Sequence, residues 1–363
     1  VNLPNNNIVG KVPEDFANHI KVQTINLSNN KITSIPDLTS LPFVTSVNVS
    51  ANALDFSSLE KNASVTGLTY GNQAGLGVDS QALADVGTDY SVAVDAGGIS
   101  DQYQWKRNGT LVSGATSKTY TIQAINRSNM GDYTCEITNP NVPGLLLTSA
   151  RQRVLATATL KGRLLVHDDV PATVGDMLLF KINTGAFDTT AVKSISTDGT
   201  YLIEKVILDD YELVGFADTL VHTDALPTYY TKTIYWEEAD TLYVENNLDN
   251  LDILSEFKPA PPKNGVGEIL GFFEEPDNAG GRTEKNKRVK NSGASLRRVE
   301  RAGRAEDVIL TLIAHTFTNE NGEFVFTKLD PGVYRLNLQY PGFPMDTTSF
   351  IDIPVGTGLL DKQ

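Results

Sequence analysis

The only thiol in this 363-residue chain, Cys135, sits in the stretch NMGDYTCEIT, between a tyrosine and an isoleucine at alternating positions. A cysteine nucleophile needs a neighbouring base and an electropositive opening that favours the thiolate. The four histidines, His19, His167, His222 and His315, are scattered over other segments. Cys135 therefore reads as a small buried hydrophobe. The carboxylates are no better placed for chemistry. Asp209 and Asp210 in ILDDY, and Asp249 and Asp252 in NNLDNLDI, lack the D-x-D-x-D-G spacing that gathers oxygens around calcium. Glu237 and Glu238 are adjacent, and on a strand they would point to opposite faces, unlike a glycosidase pair. The aromatic group Pro227 to Tyr230 with Trp236 could stack on a sugar ring, although a sandwich rim or core uses such residues more often. With no G-x-S-x-G, H-E-x-x-H, P-loop or dinucleotide fingerprint either, the sequence predicts no catalytic residue, no metal and no cofactor.

One segment concentrates charge. Residues 280–304, GGRTEKNKRVKNSGASLRRVERAGR, hold nine Lys or Arg against Glu284 and Glu300, a local +7 in a chain of formal charge −14. Arg282, Lys285, Lys287, Arg288, Lys290, Arg297 and Arg298 make this a candidate electrostatic docking loop for an acidic polysaccharide or for another copy's acidic face. Without interleaved aromatics for base stacking, nucleic acid is the weakest partner, and a solvated insertion between two strands is the commoner origin of such a run.

The elements that carry these residues are small and numerous. A chain of this length holds two to four domains, and its 40% hydrophobic residues are ordinary globular material. The longest apolar run, Val308–Ala314, is strand-sized, so no membrane insertion is expected. The opening VNLPNNN shows neither an initiator Met nor a signal segment, which reads as a piece of something longer, and a single cysteine rules out a disulfide framework. VNLPNNNI from Val1, INLSNNKI from Ile25 and VNVSANAL from Val47 repeat at spacings of 24 and 22 residues. This pattern resembles the leucine-rich repeat family. The resemblance implies a core of Val1, Leu3, Ile8, Ile25, Leu27, Ile32, Val47, Val49 and Leu54, with Asn6, Asn30 and Asn52 as a structural asparagine ladder. Asn2, Pro4, Asn26, Ser28, Asn48 and Ser50 then face outward as candidate ligand contacts.

After a Gly-rich link the pattern becomes short alternating strands. Asn129, Gly131, Tyr133 and Cys135, with Trp105 thirty residues upstream of Cys135, resemble the immunoglobulin family's D-x-G-x-Y-x-C with Asn in place of Asp. The resemblance implies a tyrosine corner at Tyr133 and a core Trp105. The partner cysteine is missing, since the earlier strand offers only Val92 and Val94.

Further on, DGTYLIEKVILDDYEL and NGEFVFTKLDPGVYRL align without gaps at an offset of 123. Each reads as a hairpin with an Asx-Gly turn. The later copy resembles the carboxypeptidase-regulatory-like or Cna B-type module, a transthyretin-like β-sandwich, and the earlier one resembles a divergent relative. Some relatives form a Lys-to-Asn isopeptide bond beside a buried acid. Here Leu336-Asn337-Leu338-Gln339 stands where those relatives often place the acid, and no crosslink is expected.

The predicted fold class is mainly β: leucine-rich repeats over 1–67, an immunoglobulin-like sandwich over 76–157, and transthyretin-like sandwiches over 158–258 and 264–358. They are arranged as beads on a string, with hinges near 68–78, 155–160 and 258–265. That order resembles large exported surface proteins of Bacteroidota-type bacteria. It implies a non-enzymatic adhesion or ligand-binding and stalk segment outside the cell, with a protein or glycan partner. The alternatives are an accessory region of a secreted degradative enzyme, or a filament subunit that self-associates through the basic segment.

Overall fold

The computed structural model describes residues 1–182, 188–275, 287–301, 308–339 and 350–356. The protein is almost entirely β, and it divides into two compact units at Ala158/Thr159. Among the described residues no helix is long and apolar enough to cross a membrane.

The first unit begins with a parallel sheet built from the repeats. Strands Thr24–Asn26, Ser46–Asn48 and Leu68–Thr69 lie side by side in the register Ile25, Val47, Leu68, and Asn2 bridges to Asn26. Apolar residues at alternate positions turn inward because the strand period is two. Ile25, Leu27, Ile32, Val47, Val49 and Leu54 are buried with Phe56 and Leu59 of the short helix Phe56–Lys61. The first repeat differs from the core expected of it: Val1 and Leu3 are each 45% exposed and Ile8 is half-buried, because in this chain that repeat has a neighbour on one side only.

The unit continues as an immunoglobulin-like sandwich. Strands Gln102–Arg107 and Gly131–Thr138 pair antiparallel, with Trp105 opposite Cys135, and Tyr90–Ala93 pairs with Thr119–Ile122 in a second sheet. Trp105, Tyr133, Cys135 and Val92 are all buried, and Val94 is half-buried. The early residues of strand Gln152–Val166 pair parallel with Ser80–Asp85.

The second unit contains two copies of one sandwich plan. In the first copy the sheet order is Asp188–Ser194, Gly175–Lys181, Asp210–Ala217, Thr228–Tyr229. In the second it is Val308–Phe317, Gly293–Arg301, Gly332–Gln339, Ile351–Val355. The segments offset by 123 residues become Thr200–Ile207 and Asp210–Ala217, and Glu323–Leu329 and Gly332–Gln339. They are not the hairpins expected, because the short link between the two strands crosses from one sheet to another. Thr200–Ile207 pairs with Gln152–Val166 and Asp210–Ala217 with Gly175–Lys181, while Glu323–Leu329 pairs with Gly267–Phe272 and Gly332–Gln339 with Gly293–Arg301. Their shared details follow from the sequence. Gly199 and Gly322 adopt left-handed φ of 78° and 70° in the turn, a region that costs a Cβ-bearing residue energy. Tyr211 and Tyr334 each donate their hydroxyl to the carbonyl four residues earlier, Ile207 and Asp330, at 2.7 Å. Both rings are buried and pin the link between the two strands to the core.

Candidate functional site

The parallel sheet of the repeats presents the outward residues as columns. Asn2, Asn26, Asn48 and Thr69 stand in register, as do Thr24 and Ser46. Parallel strands are about 4.8 Å apart, so the amides form an evenly spaced row. Their orientation is fixed locally. Asn26 Oδ1 accepts from the Ser28 backbone N–H at 3.1 Å and from its hydroxyl at 2.8 Å, and Asn48 Oδ1 accepts from the Ser50 N–H at 3.1 Å. A backbone N–H can meet only the oxygen end of a carboxamide. The Nδ2 groups are thereby turned away from the loop, and no hydrogen bond occupies them among the described residues. Ser28 and Ser50 are half-buried beside them, and Asn2 is exposed.

The asparagines one turn on do different work. Asn30 Oδ1 accepts from the N–H groups of Asn6 and Ile8, while its Nδ2 donates to the carbonyls of Leu3 and Leu27. Asn52 Oδ1 accepts from Ile32 N–H and its Nδ2 donates to Leu27 and Val49. The Asn6 side chain is exposed and, among the described residues, bonds only the carbonyl of Pro4. Gln73 adds a rung that the asparagine pattern missed, donating to Val49 and Tyr70 and accepting from Leu54 N–H. Its spacing of 21 residues from Asn52 was the available signal, hidden by the change of residue type.

A carboxylate fastens the repeat part of this unit to its sandwich. Glu60 accepts from the N–H of Ile99 and from Asn141 Nδ2 at 2.5 and 2.8 Å. Desolvation pushes its carboxyl up, yet the donors of Asn141, Ser100, Ile99 and Asn139 together outweigh that and hold it at about 2. In the sandwich core, Tyr133 donates to the Asn129 carbonyl at 2.6 Å and Trp105 Nε1 to Ser117 at 2.9 Å. Burial pushes the Cys135 thiol up to about 11, so it has no thiolate character at neutral pH.

The basic segment is not one docking loop, which corrects the expectation. Residues Gly293–Arg301 form a central strand paired on both sides, because Ala294 and Leu296 alternate into the core. Arg297 is 6% exposed. Its Nε and Nη2 donate to Asn337 Oδ1 at 3.1 and 3.0 Å, its Nη1 to Glu238 at 2.8 Å, and its guanidinium lies 3.8 Å over the Tyr235 ring. Glu237 completes the cluster, accepting from Asn337 Nδ2 at 3.1 Å. The two glutamates do not diverge as on a strand. Residues Trp236–Glu238 form a 3-10 turn, which brings both carboxylates to the same guanidinium. Arg288 pairs with Glu274 and stacks on Phe272, Lys290 pairs with Glu320, and Arg298 lies 3.6 Å from Glu300. Arg282, Lys285 and the side chain of Lys287 lie outside the described residues.

Behind this cluster, Ser295 Oγ meets His315 Nδ1 at 2.9 Å, both buried. His315 Nε2 has no hydrogen-bond partner among the described residues, and burial, then the charge of Lys258, lowers its pKa to about 4. A serine beside a neutral imidazole could be activated as a nucleophile only with access to substrate, and both side chains are enclosed. Among the described residues no group of three or more His, Cys, Asp or Glu is arranged to hold a metal ion.

No protein family matches the chain, and no curated protein does. Among solved structures it is similar to the TIE protein of Bacillus anthracis, at 13% identity over 77% of this chain and 54% of that one, TM-score 0.27. It is similar to a secreted internalin-like protein of Listeria monocytogenes, at 17% over 39% and 55%, TM-score 0.27. It is also similar to the major pilin subunit of Bacillus cereus, at 13% over 53% and 73%, TM-score 0.22. The chain spans about half the length of the first two.

Proposed function

We propose that this chain is a non-enzymatic adhesion or ligand-binding segment of a larger exported surface protein. In this reading leucine-rich repeats contact a protein or glycan, and the immunoglobulin-like and tandem transthyretin-like sandwiches set reach and spacing. The observation that carries it is the row of amide donors at Asn26 and Asn48, aimed outward by Asx bonds to Ser28 and Ser50. Donors on a flat face suit an acceptor-rich partner, such as sugar hydroxyls or the carbonyls of an extended peptide. The reactive groups elsewhere are spent on structure: Cys135 is enclosed, and Arg297, Glu237 and Glu238 neutralise one another.

The test uses the isosteric pair Asn26→Asp and Asn48→Asp, which keeps both Oδ1 acceptors and replaces each Nδ2 donor by a charged acceptor oxygen. A glycan and protein array is probed with the whole chain and with this variant. Wild-type binding that disappears in the variant, with the thermal melt unchanged, is the expected result. Undiminished binding by the variant, or no binding by the wild type, would remove the repeat face as the contact surface.

A further inference from the structure

The first sandwich of the second unit carries a groove of about 500 Å³, within the size range of small-molecule sites. Lys161 and Arg163 line it from strand Gln152–Val166, Lys193 from Asp188–Ser194, and Ser196, Asn250 and Asp252 close it. We propose that this groove binds a saccharide bearing a single carboxylate, such as a uronic-acid unit. It is a different surface from the repeat face, and either assignment can fail without the other.

The internal duplication shows that the fold does not require these cations. Leu164 N–H donates to Gly199 and Phe273 N–H to Gly322, each at 2.8 Å, which aligns Leu160-Lys161-Gly162-Arg163 with Ile269-Leu270-Gly271-Phe272. The second copy therefore holds the positions of Lys161 and Arg163 with Leu270 and Phe272, 58% and 53% exposed. Polar residues at these sites in the first copy are a property of its groove.

The charges inside the groove are unequally occupied. Arg163 is committed to Asp252, through Nε at 3.1 Å and Nη2 at 2.6 Å, and Lys161 to Asp249 at 3.1 Å. Lys193 meets no carboxylate among the described residues. One unneutralised ammonium favours one anionic group. Carboxylates at the rim set the rest of the specificity. Asp252 lines the groove, Asp176 holds the Ser194 hydroxyl at 2.6 Å, and Asp198 holds that of Thr200 at 2.7 Å. These acids repel a heavily sulfated or phosphorylated chain but accept hydrogen bonds from sugar hydroxyls. The Ser196 hydroxyl and the Asn250 carboxamide are unbonded among the described residues, and Leu202, 41% exposed, offers an aliphatic patch to a ring's C–H face. The wall is backbone in close contact: a Cβ on Gly162 would stand 2.3 Å from the Leu251 carbonyl, so the site is preformed.

The test is calorimetric titration of the whole chain with the methyl glycoside of galacturonic acid, which bears one carboxylate, and with the methyl glycoside of galactose at physiological salt. The acidic form should bind at least about tenfold more tightly, and Lys193→Met should remove about that advantage while leaving the neutral form unchanged. Ser196→Ala should weaken both forms alike, and Asn26→Asp with Asn48→Asp should change neither. The proposal is overturned if the acidic form gives no heat, if the two saccharides bind equally, if Lys193→Met is indistinguishable from wild type, or if a polysulfated oligosaccharide binds more tightly than the galacturonate.

Discussion

The two sandwiches of the second unit share a pair of strands that links two sheets, but not an outer sheet face. Alignment on Leu213 and Leu336, with their strand partners Leu179 and Leu296, matches Leu178 to Ser295, Phe180 to Arg297, Val214 to Asn337 and Phe216 to Gln339. Four apolar positions in one copy are polar in the other. A single excursion of chain serves both. Tyr229, Trp236 and Ala239 pack on Phe180 and Val214, while Tyr235, Glu237 and Glu238 engage Arg297 and Asn337. Between them Leu226, Ile234 and Tyr235 pack with Leu312. The core between the linked strands is held constant because it makes the fold. The outer face is free to change as long as what covers it changes too.

The largest effect should come from the apolar side. Phe180 is 2% exposed, and Phe180→Ala removes a ring that Tyr229 and Trp236 cannot replace, for a loss of about 4 kcal/mol in urea unfolding. On the polar side, Arg297→Ala leaves Glu237, Glu238 and Asn337 without their counter-ion, for a loss of about 3 kcal/mol. The exposed pair of Lys290 and Glu320 supplies the contrast, since Lys290→Ala should cost at most about 0.5 kcal/mol. A triple change, Arg297→Met with Glu237→Gln and Glu238→Gln, should recover most of the Arg297→Ala loss, because no unpaired charge is then left behind. If Arg297→Ala costs no more than Lys290→Ala, the polar face is an ordinary solvated surface and the contrast between the copies dissolves.

What the sequence made legible follows period and what it hid follows cover. Alternation and the offset of 123 located the repeated strands, and the asparagines at 22–24 residues located the repeats, because each rests on chain-local geometry. The same pattern was misread as a hairpin, since alternation does not say whether consecutive strands pair or cross between sheets. The outer faces could not be read this way. Alternation says that Arg297 and Leu296 point oppositely, but only the fold shows that Glu237 and Glu238 arrive over the arginine. Those glutamates were misread because their neighbourhood, TIYWEEAD, has a strand's composition while the chain there takes a 3-10 turn. The run of arginines hid a core strand for a similar reason: local charge masked the inward Ala294 and Leu296.

The copies should also answer pH in opposite directions, the smallest of these effects. Glu212, on the outer face of the first copy opposite Phe180, is pushed up to about 7 by burial. An acid raised above its unfolded value stabilises the fold while protonated, so this contribution is full below about pH 4 and is lost as pH rises through 7. His315 in the second copy is lowered to about 4 from the ordinary 6.5. A depressed base contributes fully above 6.5, and that contribution is lost as pH falls through 4. Urea midpoints measured from pH 4 to 8 in Glu212→Gln should rise relative to wild type at the alkaline end only. In His315→Asn the dependence should flatten at the acid end, apart from a constant loss of packing. A Glu212→Gln protein that tracks wild type across the whole range would mean that the carboxylate finds solvent in the folded state. The apolar face would then be open where the packing of Tyr229 and Trp236 has it closed.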